Sequence, residues 1–373
     1  MSAVVPLSRR ARGSRPQPRF ERPVPRIALL GTGTVGGAFV ARCERLRERG
    51  VAVPAFAWLC NSRALVPGGE NPLQALAEAR NAPARAGSWA PWVESEGPRP
   101  GDVVIDATAS DRVAGWHSEW LARGVHVVSA NKLGNGGDLP VARAIAAAQG
   151  EGGGCYGDSA TVGAGLPLLR SIRELVAGGD HVRAIEGVLS GSLAWLFDRH
   201  DGSRPFSALV REARAGGYTE PDPREDLSGD DVRRKLLILA RAAGLELEAH
   251  EVRMDPLLPA ALAAAAPGGV DALLPTLDAP MHARLESARC ANAQLRFVGR
   301  LANGIAEVGL RELPAAHPLC DGRGTDNLVA ITSCRYREQP LVIRGPGAGA
   351  EVTAAALLDD VLRILRAPVL STR

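Results

Sequence analysis

Ile27-Ala28-Leu29-Leu30-Gly31-Thr32-Gly33-Thr34-Val35-Gly36-Gly37 decides the fold. The four apolar residues read as a short buried strand, the glycines as a tight turn, and residues from Gly37 to about Glu48 as a helix. In a chain with 42 glycines a G-x-G-x-x-G arises easily by chance. Its place between a strand and a helix, in the first βαβ unit, makes it a dinucleotide fingerprint. The glycines allow the backbone to approach a pyrophosphate, and the helix N-terminus presents free N–H groups and partial positive charge to it. Gly31, Thr32, Gly33, Thr34, Val35 and Gly36 are therefore the expected cofactor loop.

Outward from this loop, a second apolar run covers Val53 to Leu59, and further strands are expected at Val103–Asp106 and Val125–Ser129. A helix lies between those two and another near 138–149, while residues 66–101 read as helical pieces joined by loops. Strands alternating with helices imply a parallel sheet covered on both faces, a Rossmann-type doubly wound α/β fold. After about residue 150 the pattern changes. Val182–Ser190 reads as a strand, with helices near 204–215 and 228–243. The runs Leu295–Leu301 and Ile305–Leu310 flank Asn303-Gly304, a strong hairpin signal, so this second part is α+β. A last helix, about Glu351 to Leu365, follows Gly345-Pro346-Gly347-Ala348-Gly349. The expected division is a basic tail at 1–25, a dinucleotide-binding domain at 26–152 completed by 345–366, and an α+β domain at 153–344.

The 373 residues carry 46% hydrophobic and 23% charged side chains, the balance of a globular protein. No run of about 18 uncharged apolar residues suggests a membrane span. The first 26 residues hold seven arginines against one acid, Glu21, with Pro and Ser and no apolar period. This segment reads as disordered, without the apolar stretch of a secretory signal. Net charge is only +3, so nucleic-acid binding is not expected. Six scattered cysteines lack zinc spacing and read as reduced thiols of a cytoplasmic protein.

The second strand ends in Cys60-Asn61-Ser62-Arg63, without the acid that would hold the ribose 2′-hydroxyl of NAD. Arg63 suits a 2′-phosphate, which points to NADP(H) or dual use; the alternative is an arginine that is merely exposed.

Of 44 Lys and Arg residues only Lys132 and Lys235 are lysines. Arginine does not release its proton, whereas a lysine ammonium is a compact charge whose pKa moves readily when buried. Lys132 follows the strand Val125–Ser129, at the carboxyl edge where open α/β sheets bind ligands. Asp106-Ala107-Thr108-Ala109-Ser110 ends a neighbouring strand in the same way, so Lys132 should lie toward the nicotinamide. Lys235 stands four residues after Asp231 on an expected helix with Ser228 as N-cap and Asp231 at the capping-box position. Ile238 and Leu239 continue the Lys235 face as an apolar stripe. An exposed pair of this kind would be worth only ~0.3–0.5 kcal/mol and would not require lysine. Two lysines and a carboxylate beside a hydride carrier suit general acid–base work on a carbonyl or alcohol. Upstream, Glu220 and Asp226 can hold a substrate ammonium, or can simply solvate a turn-rich loop and complement a helix dipole.

GGYTEPDPREDLSGDDVRRKLLILAR (216–241) resembles the substrate and catalytic segment of the homoserine dehydrogenase family, above all the dehydrogenase part of bifunctional aspartokinase–homoserine dehydrogenases. GTGTVGGAF (31–39), GVHVVSANK (124–132), SATVGAGLP (159–167), IEGVLSGS (185–192), HPLCDGRGTDN (317–327) and RGPGAGAEVTAAAL (344–357) follow in family order. The resemblance implies interconversion of L-homoserine and L-aspartate 4-semialdehyde with NAD(P), a step toward threonine and methionine. Lys132 and Lys235 then correspond to catalytic lysines, Lys235 as proton donor with Asp231 as its partner. Glu220, Asp226, Gly191 and Ser192 correspond to substrate contacts, and Thr108, Ala109, Lys132 and Gly349 to cofactor contacts. A homodimer through the second domain is implied. So is a monovalent cation such as Na⁺ on backbone carbonyls of Ser159, Val162, Ala164 and Leu166. Two departures stand out: Ser159 occupies a position that is usually acidic, and Ala109 replaces a common hydroxyl. No kinase segment precedes residue 27 and no regulatory domain follows, so threonine is not expected to inhibit through a site of its own. Two further readings remain. A phosphorylating semialdehyde dehydrogenase would need an activated cysteine, for which Cys155 and Cys320 are the candidates, without an evident base. A non-catalytic NAD(P)-binding regulator would have no need of the lysines.

Overall fold

The structure is a computed structural model that describes residues 24–83, 97–151 and 153–366. The expected disordered tail lies outside these residues, apart from 24 and 25, as does the 84–96 portion of the Pro/Gly/Ala-rich stretch.

Two six-stranded sheets organise the chain. The first contains β1 (Ile27–Leu30), β2 (Phe56–Cys60), β3 (Leu65–Pro67), β4 (Val103–Asp106), β5 (His126–Ser129) and β6 (Tyr156–Gly157). Their order is β3-β2-β1-β4-β5-β6, parallel except for the edge pair β2–β3. The register aligns Leu30 with Asp106 and Asp106 with Ser129, so three strands end level at one edge. Alternation along β1 feeds both faces. Ile27 and Leu29 pack with Phe39, Val40, Leu357 and Val361, while Ala28 and Leu30 pack with Trp58, Trp120 and Ile145. Burial on both sides is why these strands read as continuous apolar runs. The helices Thr34–Glu48 and Ala350–Arg366 cover the same face, so the C-terminal helix returns to the first sheet.

The second sheet contains β7 (Val182–Val188), β8 (Arg253–Asp255), β9 (Ala293–Ala302), β10 (Ile305–Pro314), β11 (Asp326–Ser333) and β12 (Leu341–Pro346), in the order β12-β11-β7-β9-β10-β8. The β9–β10 hairpin turns at Asn303 (φ 52°) and Gly304 (φ 76°), both left-handed as a type I′ turn requires. Helices Leu168–Ala177, Gly191–Arg199 and Asp230–Ala242 cover one face, where Ile172, Leu196 and Leu236 meet Phe297, Leu301 and Val329. Fully burying each such side chain contributes about 1.5–3 kcal/mol. No helix among the described residues is long and apolar enough to cross a membrane.

Two local expectations need correction. The strand expected through Ser190 ends at Val188, because Ser190 caps the next helix and its Oγ accepts from the Leu193 N–H at 3.3 Å. Ser228 is not the N-cap residue of the helix that carries Lys235, although its Oγ accepts from the Asp230 N–H at 3.2 Å. It closes a short helix, Pro223–Leu227, and its Oγ donates to Glu225 O at 2.8 Å. The cap is Gly229 at φ 77°, a left-handed turn that glycine makes without strain. Asp231 makes no capping bond and turns its carboxylate toward Lys132 and Lys235.

Candidate active site

The level carboxyl ends of β1, β4 and β5 face the start of helix Asp230–Ala242 across a cavity of about 910 Å³ lined by both sheets' elements. Val35, Thr108, Lys132, Ser192, Asp226 and Lys235 are among its walls.

At its centre the two lysines meet one carboxylate. Lys235 Nζ lies 2.8 Å from Asp231 Oδ2 and Lys132 Nζ lies 3.3 Å from Oδ1. Lys235 is buried, 8% exposed, and also donates to Leu189 O at 2.6 Å. An ammonium has three protons; two are thus engaged, and the third is left for the cavity. Lys132 is more open, with 36% of its side chain exposed. Burial pushes the Asp231 carboxyl up, but the Lys235 and Lys132 ammonium groups outweigh it and hold that carboxyl well below the usual range. The carboxylate therefore stays ionised between its two cations.

Asp226 forms the opposite wall. Ser192 Oγ donates to its Oδ1 at 2.5 Å and the Glu220 N–H to its Oδ2 at 2.9 Å; Ser190 and Ser192 hydroxyls are 2.8 Å apart. Burial raises the Asp226 carboxyl against these two donors, which pull it down. Glu220 is exposed at the cavity mouth, and Gly191 stands at the start of the Ser192 helix.

The glycine loop has the shape a pyrophosphate needs. Gly31 has φ +95°, and a Cβ on it would lie 2.5 Å from Ala107 O; a Cβ on Gly36 would lie 1.9 Å from Gly31 O. A Cβ on Gly33 would meet nothing within 4 Å, so the loop is open on the side a cofactor would occupy. Thr32 is buried and its hydroxyl accepts from Asn61 Nδ2 at 2.8 Å, whereas Thr34 begins the helix and is exposed. Arg63 is exposed and donates to Arg80 O at 3.2 Å. Arg80 itself, which sequence reading missed, donates to Thr32 O at 2.6 Å and Gly33 O at 2.8 Å, beside the loop.

Below the carboxyl ends of β4 and β5 lies a buried network that sequence reading also missed. The Asp106 carboxylate accepts from Thr108 N (2.9 Å) and Oγ1 (2.7 Å), from Asn131 Nδ2 (2.9 Å) and from His117 Nε2 (2.9 Å). His117 Nδ1 then meets the Tyr156 hydroxyl at 3.0 Å, and burial drives the pKa of that phenol far up. This fixes the Thr108 turn and the residue before Lys132. Ala109 is exposed and outside the cavity lining. Gly349, at φ +126°, lines the cavity from the C-terminal segment.

Among the expected cation ligands, Ala164 lines the cavity and has φ 50°, an unusual conformation for a residue with a Cβ. Leu166 O already accepts from Leu168 N at 2.8 Å. Ser159 N and Oγ donate to Asp360 at 2.9 Å each, and Val162 is fully buried. Among the described residues no group of three or more His, Cys, Asp or Glu could hold a metal ion.

A parallel sheet with a glycine loop, whose carboxyl edge faces a lysine–carboxylate cluster across a deep cleft, defines a Rossmann-type dinucleotide-binding protein. Comparison with known proteins gives the family. Residues 31–156 match the model of the homoserine dehydrogenase NAD binding domain and 167–362 that of homoserine dehydrogenase. The chain is similar to bifunctional aspartokinase/homoserine dehydrogenase 2 of Escherichia coli, 46% identical over 266 residues, covering 70% of this chain and 32% of that one. It is similar to homoserine dehydrogenase of Schizosaccharomyces pombe, 37% identical over 272 residues, 70% of this chain and 72% of that one. A crystal structure of a Candida auris protein of unknown function aligns with a TM-score of 0.81 at 32% identity, over 91% of this chain and 97% of that one. The chain belongs to the homoserine dehydrogenase family. It spans about a third of the bifunctional relatives, 38% of one from Zea mays and 29% of another.

Proposed function

We propose that this protein interconverts L-aspartate 4-semialdehyde and L-homoserine with NAD(P)H, by lysine general acid–base catalysis. The observation that carries the reading is the Lys132–Asp231–Lys235 bridge across the cavity. A bound nicotinamide would deliver hydride to the aldehyde carbon. Lys235, with one proton uncommitted, gives that proton to the carbonyl oxygen; in the reverse direction its neutral amine takes the alcohol proton. Asp231 keeps the departing and returning proton electrostatically favourable, and Lys132 adds positive charge beside the developing alkoxide. Asp226 and Glu220, with Gly191 and Ser192, receive the substrate ammonium on the far wall. The loop 31–36, Thr108 and Gly349 hold the dinucleotide.

Arg63, with Arg80 beside it, favours NADP(H) over NAD(H), since two guanidinium groups stand where an acid would otherwise bind the ribose. The cation belongs to the reading through Ser159, Val162 and Ala164; the carboxylate of Asp360 beside Ser159 can supply the charge that the serine lacks, whereas the Leu166 carbonyl has only its second lone pair to offer. A homodimer through the second sheet and a reducing, cytoplasmic setting are retained; six cysteines without disulfide partners suit the latter. The test is oxidation of NADPH and of NADH by aspartate semialdehyde, followed by absorbance with the purified chain. Turnover dependent on the aldehyde is the expected result. Reduction of NADP⁺ by aspartate semialdehyde that requires phosphate and disappears on Cys155→Ser or Cys320→Ser would transfer the protein to the phosphorylating class.

A further inference from the structure

We infer that Arg241 is a positioning residue that holds Lys132, on the first sheet's side of the cleft, against Asp231 and Lys235 on the other. The inference deepens the proposed function and rests on it for the role of Lys132. Arg241 lies six residues beyond Lys235 on the same helix, about 9 Å along its axis. Its guanidinium meets backbone carbonyls of two segments. Nη1 donates to Asn135 O at 2.8 Å and Gly137 O at 2.7 Å, and Nη2 donates to Leu247 O at 2.7 Å.

Asn135 and Gly137 belong to the turn that leaves Lys132. Gly136 N donates back to Lys132 O at 2.7 Å, and Leu133 N to Asn131 Oδ1 at 3.0 Å, so the segment 131–137 moves as one piece. It lies hard against the catalytic helix: a Cβ on Gly136 would sit 2.9 Å from both Arg234 O and Ile238 Cγ1. Nη1 engages carbonyls on either side of Gly136 at once, while Nη2 anchors the same planar guanidinium to Leu247 O, so the piece is held in rotation as well as in distance. A lysine could satisfy such carbonyls only as a flexible point charge. On the first-sheet side Asn135 Nδ2 also donates to Asp158 Oδ2 at 2.7 Å; across the seam Arg143 to Glu246 and Leu139 N to Glu248 lie further from the cleft along the chain, so besides the Lys132–Asp231 pair itself Arg241 is the tie nearest Lys132.

The chain's two lysines make the test unusually clean. A sample labelled with ¹³C at lysine Cε gives two side-chain signals, assigned with Lys132→Arg and Lys235→Arg. Arg241→Gln should move the Lys132 signal and leave the Lys235 signal in place, since Lys235 keeps Leu189 O and Asp231. Displacement of a catalytic group by about 1 Å can cost about 100-fold, so kcat should fall by up to that factor with KM for NADP little changed. The double variant Arg241→Gln/Lys132→Arg should turn over no more slowly than Lys132→Arg alone, because both act through one group. Should Arg241→Gln fail to fold, Arg241→Met, which adds no lysine signal, carries the same expectations. Unmoved lysine signals, or losses that multiply in the double variant, overturn the inference. A wild-type protein inactive with homoserine would overturn the proposed function instead, and the lysine spectra would still judge the clamp.

Discussion

Asp231→Asn keeps the shape of the side chain and removes the charge that joins the two lysines. Its oxygens stand 2.8 Å from Lys235 Nζ and 3.3 Å from Lys132 Nζ. At an effective dielectric of about 20, unit charges at such distances attract by roughly 5–6 kcal/mol. The Asp231 side chain is 42% exposed, and screening with side-chain entropy reduces each pair to about 1 kcal/mol. Two pairs give about 2 kcal/mol, which corresponds to roughly 10–100-fold in rate. The asparagine variant should therefore lose that much kcat in NADPH oxidation by aspartate semialdehyde, with KM for the cofactor unchanged, since Asp231 makes no bond to the loop 31–36. Stability adds a second readout. The folded-state pKa of Asp231 is depressed, so its contribution is present above the unfolded value near 3.9 and is lost as pH falls through the lower folded value. The gap in Tm between wild type and variant should close as pH is lowered below about 4. A kcat within about threefold of wild type would refute the claim that the carboxylate organises the lysines.

Arg63→Ala should weaken NADP by about 10–100-fold, the worth of one hydrogen bond to a charged group, and leave NAD untouched; equal NADP affinity in a fluorescence titration would remove Arg63 from the site. Burial raises the Asp226 carboxyl while Asp231 is held low, so Asp226 is the first of the two to be neutralised as pH falls. KM for homoserine should then rise on the acid side in the wild type, and Asp226→Asn, already neutral, should show a high KM that no longer changes there. A pH-dependent KM surviving in that variant would assign the effect elsewhere.

Much of the fold is legible because its signals are local. The strand, glycine turn and helix at 27–48 occupy consecutive residues, and Asn303-Gly304 writes its own hairpin. The three-residue strands β3 and β8 are too short to show a period, and they exist because neighbouring strands offer open edges. The scarcity of lysine pointed at Lys132 and Lys235, and the i, i+4 spacing at Asp231, before any geometry. What joins them was not legible. Leu189 contributes only a carbonyl, a group that every residue has. Asp106, His117 and Tyr156 form one network from three distant segments. Gly229 starts the helix that carries Lys235 through its backbone conformation, where composition favours Ser228. Arg241 looked like one more helix arginine among many, and only the approach of Asn135 and Gly137 gives it a task.

The central claim is that lysine is needed at two positions for its proton and compact charge, which arginine cannot replace. Its most direct test is kcat for NADPH oxidation by aspartate semialdehyde in Lys132→Arg and Lys235→Arg beside the wild type. Both variants keep the positive charge. Each should lose most of its turnover, about 10²–10⁴-fold at Lys235, where a general acid is removed. Near-normal turnover in either variant would contradict the account at that position.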